Sequence, residues 1–521
     1  MNNRPGRGKP RKLGGGAARV RSIWSFKGRY RTLHLTWFAF FLSFVVWFNF
    51  APFAGVVGEE FNLSGAQLTT LALCNVALTV PARVFIGQLL DRLGPRRVYA
   101  GILIFSSIPC ISFALATSYP MLVVSRLALS IVGAGFVVGI RMVAEWFPPR
   151  EVGTAEGVYG GWGNFGSAAA ALTLPTVAAV VGGPQGWRWA VASTGVIATL
   201  YGVFYLRAVT DTPDGRPYTK SRRAGALEVT SPAGVWGLAA LTVPLTAIPG
   251  FIAWRIWLVG AIPASVMWLL IGASTVLMAW QLRLVFSVNR SALKNQYPAQ
   301  DRYPFRSVGI LSFCYFCTFG SELAIVSMLP TFFADTWGLG PALAGATASG
   351  FAFMNLVARP AGGLMSDLLG SRRRTLRTLL LGLSVGYGTM FLMGPGWPVV
   401  LAVAATMMCS AFVQSGEGAV YAIVPLVKKR VTGQISGIVG ASGNVGAITF
   451  LTILLFAPAE MFFLAIGVTS ILANVACRWL PEPRNGFAEE LLEDTPEALA
   501  GAGLLEGGAQ EVLELEGATI R

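Results

Sequence analysis

The chain of 521 residues is 54% hydrophobic and only 12% charged, with a mean hydropathy of +0.60 and a formal net charge of +15. A soluble domain carries about a quarter charged residues, so this composition excludes a soluble globular enzyme and points to a polytopic membrane protein. One histidine, His34, and cysteines scattered through apolar segments (74, 110, 314, 317, 409 and 477) leave no His-containing metal cluster and no Ser-His-Asp triad, so neither an enzyme nor a cofactor is expected.

In chain order, residues 1–32 are basic and Gly-rich (RPGRGKPRK, KGRYR) and read as a disordered cytoplasmic tail. A nucleic-acid-binding arm is the alternative, but positive charge beside a first span has a topological origin, and no nucleic acid partner is expected. Apolar runs then place spans near 34–57, 67–90, 98–117, 120–145, 153–181 and 187–207, forming an N-terminal half over 33–208. Residues 209–306 form a basic linker that carries an extra helical hairpin at about 233–280, either transmembrane or interfacial. Six more runs, near 307–332, 341–365, 375–394, 397–424, 433–457 and 460–480, form a C-terminal half over 307–480, and an acidic tail occupies 481–521. The sum is an all-α protein of about 14 spans.

Loops GPRRV, FPPREVG, GSRRRT and VKKRVTG are basic, whereas GEEFNLSG, TSYP, ADTWGLGP, GPGWP and APAE hold no Lys or Arg. This asymmetry predicts a multi-pass protein of the cell (inner) membrane with both termini cytoplasmic.

The two halves repeat. Counting from Arg83 and from Arg359, Gly recurs at +4 (Gly87, Gly363) and Asp at +8 (Asp91, Asp367). Gly follows at +11 (Gly94, Gly370), then two arginines (Arg96 and Arg97; Arg372 and Arg373). GGWGNFG at 160–166 matches GASGNVG at 440–446, pairing Asn164 with Asn444. Two parallel repeats of six spans are the pattern of a secondary transporter.

GQLLDRLGPRR resembles the loop motif of the major facilitator superfamily, and Arg126 in SRLALSIVGAG resembles its span-4 arginine. The glycine–asparagine stretches resemble the signature of the nitrate/nitrite porter family, over roughly 34–208 and 307–480. The resemblance implies two six-helix halves related by a pseudo-two-fold axis. It also implies transport of nitrate, with nitrite, by alternating access.

Arg83 and Arg359 hold equivalent depths, and a charge in lipid is expensive, so both should face the interior. A guanidinium fork suits a planar anion with several acceptor oxygens; the alternative is that each arginine pairs with a buried carboxylate. Asn164 and Asn444 offer donors and acceptors to a small anion. Gly160, Gly161, Gly163 and Gly166, like Gly437, Gly440, Gly443 and Gly446, read mainly as close-packing positions, with Gly163 and Gly443 also leaving room beside the asparagines for a very small ligand. By resemblance, Tyr315 and Phe319 in the seventh span, Phe136 in the fourth and Phe44 in the first line the anion site; ordinary aromatic packing is the alternative for each.

The carboxylates bear on mechanism. Burial and a nearby arginine act oppositely on a carboxylic acid, so a membrane Glu can be poised to titrate. Glu322 ranks first as the proton-coupling residue and Glu417 second; Glu145, four residues after Arg141, is a third candidate with an internal ion pair as its alternative. By resemblance, IRMVAEWFP in the fourth span and GSEL in the seventh are similar to the proton/nitrate symporter branch, with nitrate/nitrite exchange as the runner-up and a transporter-like nitrate receptor as the reading from another class. By resemblance, Asp91, Arg96, Arg97, Asp367, Arg372 and Arg373 are expected to gate, a carboxylate at a span's end binding a neighbouring helix N-terminus in a contact that breaks as the halves rock, with simple loop capping as the alternative. The expected partners are the anion, protons and the bilayer, and the chain is expected to work as a monomer.

Overall fold

A computed structural model describes residues 23–483 apart from 184, 214–215, 219–224, 298–301 and 455–456. The tail residues 1–22 and the acidic segment from 484 onward lie outside the described residues. Among the described residues, twelve helical segments are long and apolar enough to cross a membrane. In the first half these are α1 (Gly28–Glu60), α2 (Gly65–Leu93), α3 (Pro95–Ala114), α4 (Tyr119–Trp146), α5 (Val152–Val181) and α6 (Gly186–Ala208). The hairpin supplies α7 (Pro232–Leu258) and α8 (Ala264–Val288). The second half begins with α9 (Arg306–Trp337). Two units with more breaks or charge follow: α10, made of Pro341–Phe353 and Asn355–Leu368, and α11 (Arg372–Phe391). The chain closes with α12 (Val399–Val427), α13 (Lys429–Ile453) and α14 (Ala459–Trp479). α1 starts at Gly28, so residues 28–32, which charge assigned to the tail, are helical.

The repeat is visible in the backbone. α2 is interrupted at Leu78 and α10 at Met354, each five residues before its arginine. α2 ends at Gly94 with φ 84°, and the turn after α10 passes through Gly370 with φ 72°; L side chains avoid both conformations. Pro95 then opens α3, and the Ser371 side chain caps α11 by accepting from the Arg374 N–H at 3.3 Å.

The halves meet along two seams, α2 against α13 and α5 against α10. Glycines set how close these helices come. A Cβ on Gly87 would lie 2.5 Å from the Gly433 carbonyl oxygen, and one on Gly363 would lie 1.9 Å from that of Gly153. The hairpin is packed on the bundle: α7 touches α2, α9 and α13 and so straddles the first seam. An apolar crevice of about 420 Å³ remains there, lined by Phe85, Leu238, Trp280 and Ile438. The Asn289 side chain fixes the linker, accepting from the Val229 N–H at 2.8 Å and donating to the Leu227 carbonyl at 3.0 Å.

Candidate functional site

Arg83 and Arg359 come from opposite halves and converge on one ring. Phe136 of α4 has the Arg83 guanidinium 5.4 Å and the Arg359 guanidinium 5.2 Å from its centroid. Both arginines are buried. Phe136 lies parallel to Tyr315 at 6.3 Å, Tyr315 stacks on Phe319 at 5.0 Å, and Phe319 lies 5.0 Å from the Arg83 guanidinium. Tyr421 of α12 closes this wall edge-on, 4.7 Å from Phe136 and 4.8 Å from Tyr315. Phe44 packs instead among Phe40, Trp47 and Phe48.

The two arginines differ in their partners. Arg359 forms an ion pair with Glu417 and donates to the Tyr315 hydroxyl at 3.1 Å, so for this arginine the carboxylate alternative is realised. Arg83 forms no ion pair with a carboxylate among the described residues. Its Nη1 donates to the Gly440 carbonyl at 2.7 Å and its Nε to the Gly133 carbonyl at 3.3 Å, while Nη2 has no partner. A buried donor without a partner costs about 1–3 kcal/mol. An acceptor placed beside Nη2 would recover that cost.

The asparagines carry the same signature. Asn164 is buried and neither amide atom is bonded. Asn444 makes one long bond to the Gly440 carbonyl at 3.4 Å and its Oδ1 is unbonded. Each stands one turn beyond the glycine that receives an arginine: a Cβ on Gly160 would meet Arg359, and one on Gly440 would meet Arg83. Gly443 faces Tyr315 and Phe319. Gly163 does not reach the arginines; a Cβ there would fall inside the Phe40 ring, so its role in this structure is packing. Asn164→Ala is expected to raise the Kd for nitrate about tenfold, the loss of one buried bond of about 1.4 kcal/mol. Thermal stability should hold or rise, because an unsatisfied amide is removed. Isothermal titration together with a melting curve checks both, and an unchanged Kd returns Asn164 to packing.

Besides Asp91 and Asp367, five carboxylates are buried among the described residues. Glu322 accepts from the Asn355 amide, and its carboxyl neighbours that of Glu417; each keeps one unbonded oxygen. Glu145 pairs with Arg141 at 2.8 Å, away from the arginine pair, so its ion-pair alternative is what the structure holds. Glu228 of the linker pairs with Arg430 at 3.0 Å. Glu156 of α5, not singled out by the sequence, is buried with both oxygens unbonded and lies in Coulomb range of Arg359. Its signal was available: it is an acidic residue within an apolar span, one turn before Gly160. Tyr159 and Tyr421 were missed too, since aromatic residues in spans carry no distinguishing mark.

At the basic end the loop residues cross between halves. Asp91 accepts from the Gly433 and Gln434 N–H groups at 3.1 and 3.0 Å, at the start of the α13 helix. Asp367 accepts from the Gly153 and Thr154 N–H groups at 3.2 and 2.7 Å, at the start of α5. Each carboxylate thus sits at a helix N-terminus of the other half, where the dipole favours it. The arginine pairs are not equivalent. Arg372 binds Asp367 at 2.7 Å and donates to the Pro149 carbonyl at 2.6 Å, and Arg373 donates to the Leu480 carbonyl. Arg96 contributes a backbone N–H to Asp211 at 2.7 Å, and Arg97 is exposed.

Comparison with known proteins agrees with this architecture. The Major Facilitator Superfamily profile matches residues 36–295 and 311–506. The chain is 47% identical over 510 residues to the nitrate/nitrite transporter NrtP of Picosynechococcus sp., covering 90% of this chain and 96% of that protein. It is 46% identical over 481 residues to NrtP of Nostoc punctiforme, with the same coverage, and 26% identical over 529 residues to nitrate transporter 2.2 of Chlamydomonas reinhardtii. Among solved structures, the proton:xylose symporter XylE superposes with a TM-score of 0.59 at 16% identity, covering 92% of this chain and 99% of that one, which concerns the fold alone. A shared profile over most of the chain, two repeated halves and identity near one half to NrtP leave one conclusion: the chain belongs to the major facilitator superfamily, within its nitrate/nitrite porter family.

Proposed function

We propose that this protein is a secondary transporter that takes nitrate, and nitrite, across the cell membrane together with protons. It is a transporter and not an enzyme by family. The observation that carries the reading is the unbonded Nη2 of a buried Arg83 beside the Arg359–Glu417 pair. Two guanidiniums and an aromatic wall suit a flat anion, and the relatives' names supply its identity.

Proton coupling follows from charge. Arg83 and Arg359 share their surroundings with Glu322, Glu417 and Glu156. An entering anion adds negative charge to a cluster that already has more carboxyls than guanidiniums. Leaving an ion unbalanced in a low-dielectric interior costs several kcal/mol, so a proton on Glu322 or Glu417 offsets the anion. Alternating access would break the Asp91 and Asp367 caps when the halves rock, with the basic loops and both termini cytoplasmic. Flux separates symport from nitrate/nitrite exchange.

In proteoliposomes of the purified protein, an inward proton gradient is expected to drive nitrate accumulation that collapses with a protonophore. Entry only when nitrite is trapped inside would replace symport with exchange. No movement under either condition would favour the receptor reading, for which deletion of both tails should abolish signalling. Glu322→Gln is expected to leave downhill nitrate entry but to abolish its nitrate-evoked proton uptake, read with a pH dye. Coupled flux in that variant would move the role to Glu417.

A further inference from the structure

The seam between α5 and α10 works as a ruler. Gly153 lies against Gly363 near the basic end, Gly157 against the Arg359 backbone, Gly160 against the Arg359 side chain and Gly161 against Asn355. Positions along the path from the outer to the basic face can be read from this series. Glu322, bonded to Asn355, stands outward of Arg359. Glu417, paired with the guanidinium, stands level with it. Glu156, between Gly153 and Gly157, stands inward of it. The order is therefore Glu322, then Glu417 and Arg359 together, then Glu156.

Other buried carboxylates are occupied. Asp91 and Asp367 bind helix N-termini, Glu145 binds Arg141, Glu228 binds Arg430, Glu322 binds Asn355 and Glu417 binds Arg359. Among the described buried carboxylates, Glu156 alone has both oxygens unbonded. An unpaired carboxylate in such a place is costly to keep ionised and cheap to protonate. The groups that face it are Arg359 from α10, Tyr421 from α12 and Tyr159 on its own helix. Nearer the basic face stand Asp367 at the α5 N-terminus and, against Glu151, Arg29 and Tyr30 of α1.

We propose that Glu156 is the release-side proton station of the transport cycle. This rests on the proton-coupling reading above and extends it. The proton held by the Glu322–Glu417 pair leaves a Glu417 oxygen as the O–H bond there breaks. A new O–H bond forms at a Glu156 oxygen, and Glu417 is left as the carboxylate that pairs with Arg359. When the Asp367 cap opens, water reaches Glu156 and takes the proton to the basic side, and Glu156 returns to a carboxylate. A pair of proton sites on either side of Arg359 also keeps the anion and the proton from needing the same group.

The test separates net flux from exchange. Nitrate/nitrate counterflow needs no proton release, whereas net uptake does. In proteoliposomes, Glu156→Gln is expected to lower proton-driven nitrate accumulation at least about tenfold while counterflow stays within about threefold. Glu156→Asp keeps a carboxyl and is expected to restore net uptake with a shifted dependence on internal pH. Wild-type accumulation in Glu156→Gln overturns the assignment and leaves proton coupling standing. Loss of counterflow in both variants, or an unshifted internal-pH profile in Glu156→Asp, also overturns it by reducing Glu156 to a structural role. Failure of the unmodified protein to accumulate nitrate on a proton gradient overturns the coupling reading itself, and this assignment with it.

Discussion

Arg83→Lys is expected to lower nitrate uptake at least about 30-fold, because charge-assisted hydrogen bonds worth about 2–3 kcal/mol in all are lost. Lysine keeps the charge and loses the planar fork. Arg83 uses one arm of that fork on the Gly440 carbonyl of the opposite half and leaves the other arm unbonded. A single ammonium can make one of these contacts well, not both at the same geometry. Arg359→Lys should be as severe for a different reason: it also disturbs the pairing with Glu417 and the bond to Tyr315. Initial rates of labelled nitrate entry in vesicles, normalised to inserted protein, check both. Near-normal rates in both variants would remove the arginine pair from the anion site.

Gly363→Val is expected to abolish transport without touching the anion site. Its Cβ would sit 1.9 Å from the Gly153 carbonyl oxygen and 2.7 Å from the Gly153 carbonyl carbon. The obstacle is backbone, which cannot rotate aside, so α10 and α5 would be forced apart at the basic end. Asp367 would then lose its bonds to the Gly153 and Thr154 N–H groups. Gly87→Val should act in the same direction with a smaller effect, since its Cβ would lie 2.5 Å from the Gly433 oxygen. Gly388→Ala is the control, because a Cβ there meets nothing within 4 Å. A Thr154→Cys probe should be unreactive to a water-soluble thiol reagent in the parent and reactive in the Gly363→Val background. Full transport by Gly363→Val would show that the seam need not close.

The asymmetry between the arginines matters for how the cycle is read. Arg359 carries its counter-charge with it, so the C-terminal half contributes a balanced pair to the site. Arg83 brings an uncompensated charge from the N-terminal half, held by two carbonyls and two aromatic faces. In the proposed cycle an anion is the counter-charge for Arg83, and its departure requires that something else settle the charge. In the same proposal, loss of a proton from the acids around Arg359 settles it.

Much of this was readable from residue order. Apolar runs marked the spans because hydrocarbon demands about 20 apolar residues whatever the neighbours are. The offset of 276 between Arg83 and Arg359 marked two repeated halves, and their depth marked them as interior charges. The close-packing character of Gly160, Gly161 and Gly166 was also visible, since small residues in a span have few other uses. All of these are properties of a single helix in a membrane.

What the tertiary structure decided concerns pairs of helices. Helical periodicity says which residues share a face, not which face of which other helix they meet. Glu417 could be known as an acid in a span; that it meets Arg359 and not Arg83 depends on α12 packing beside α10. Gly163 reads like its repeat mate Gly443, yet one meets Phe40 and the other Tyr315 and Phe319. Glu156 shows the same limit most plainly. Its sequence marks a costly residue, but only the packing of α5 on α10 puts it inward of Arg359 with no partner, because in a low-dielectric interior the meaning of a charge is set by what stands next to it.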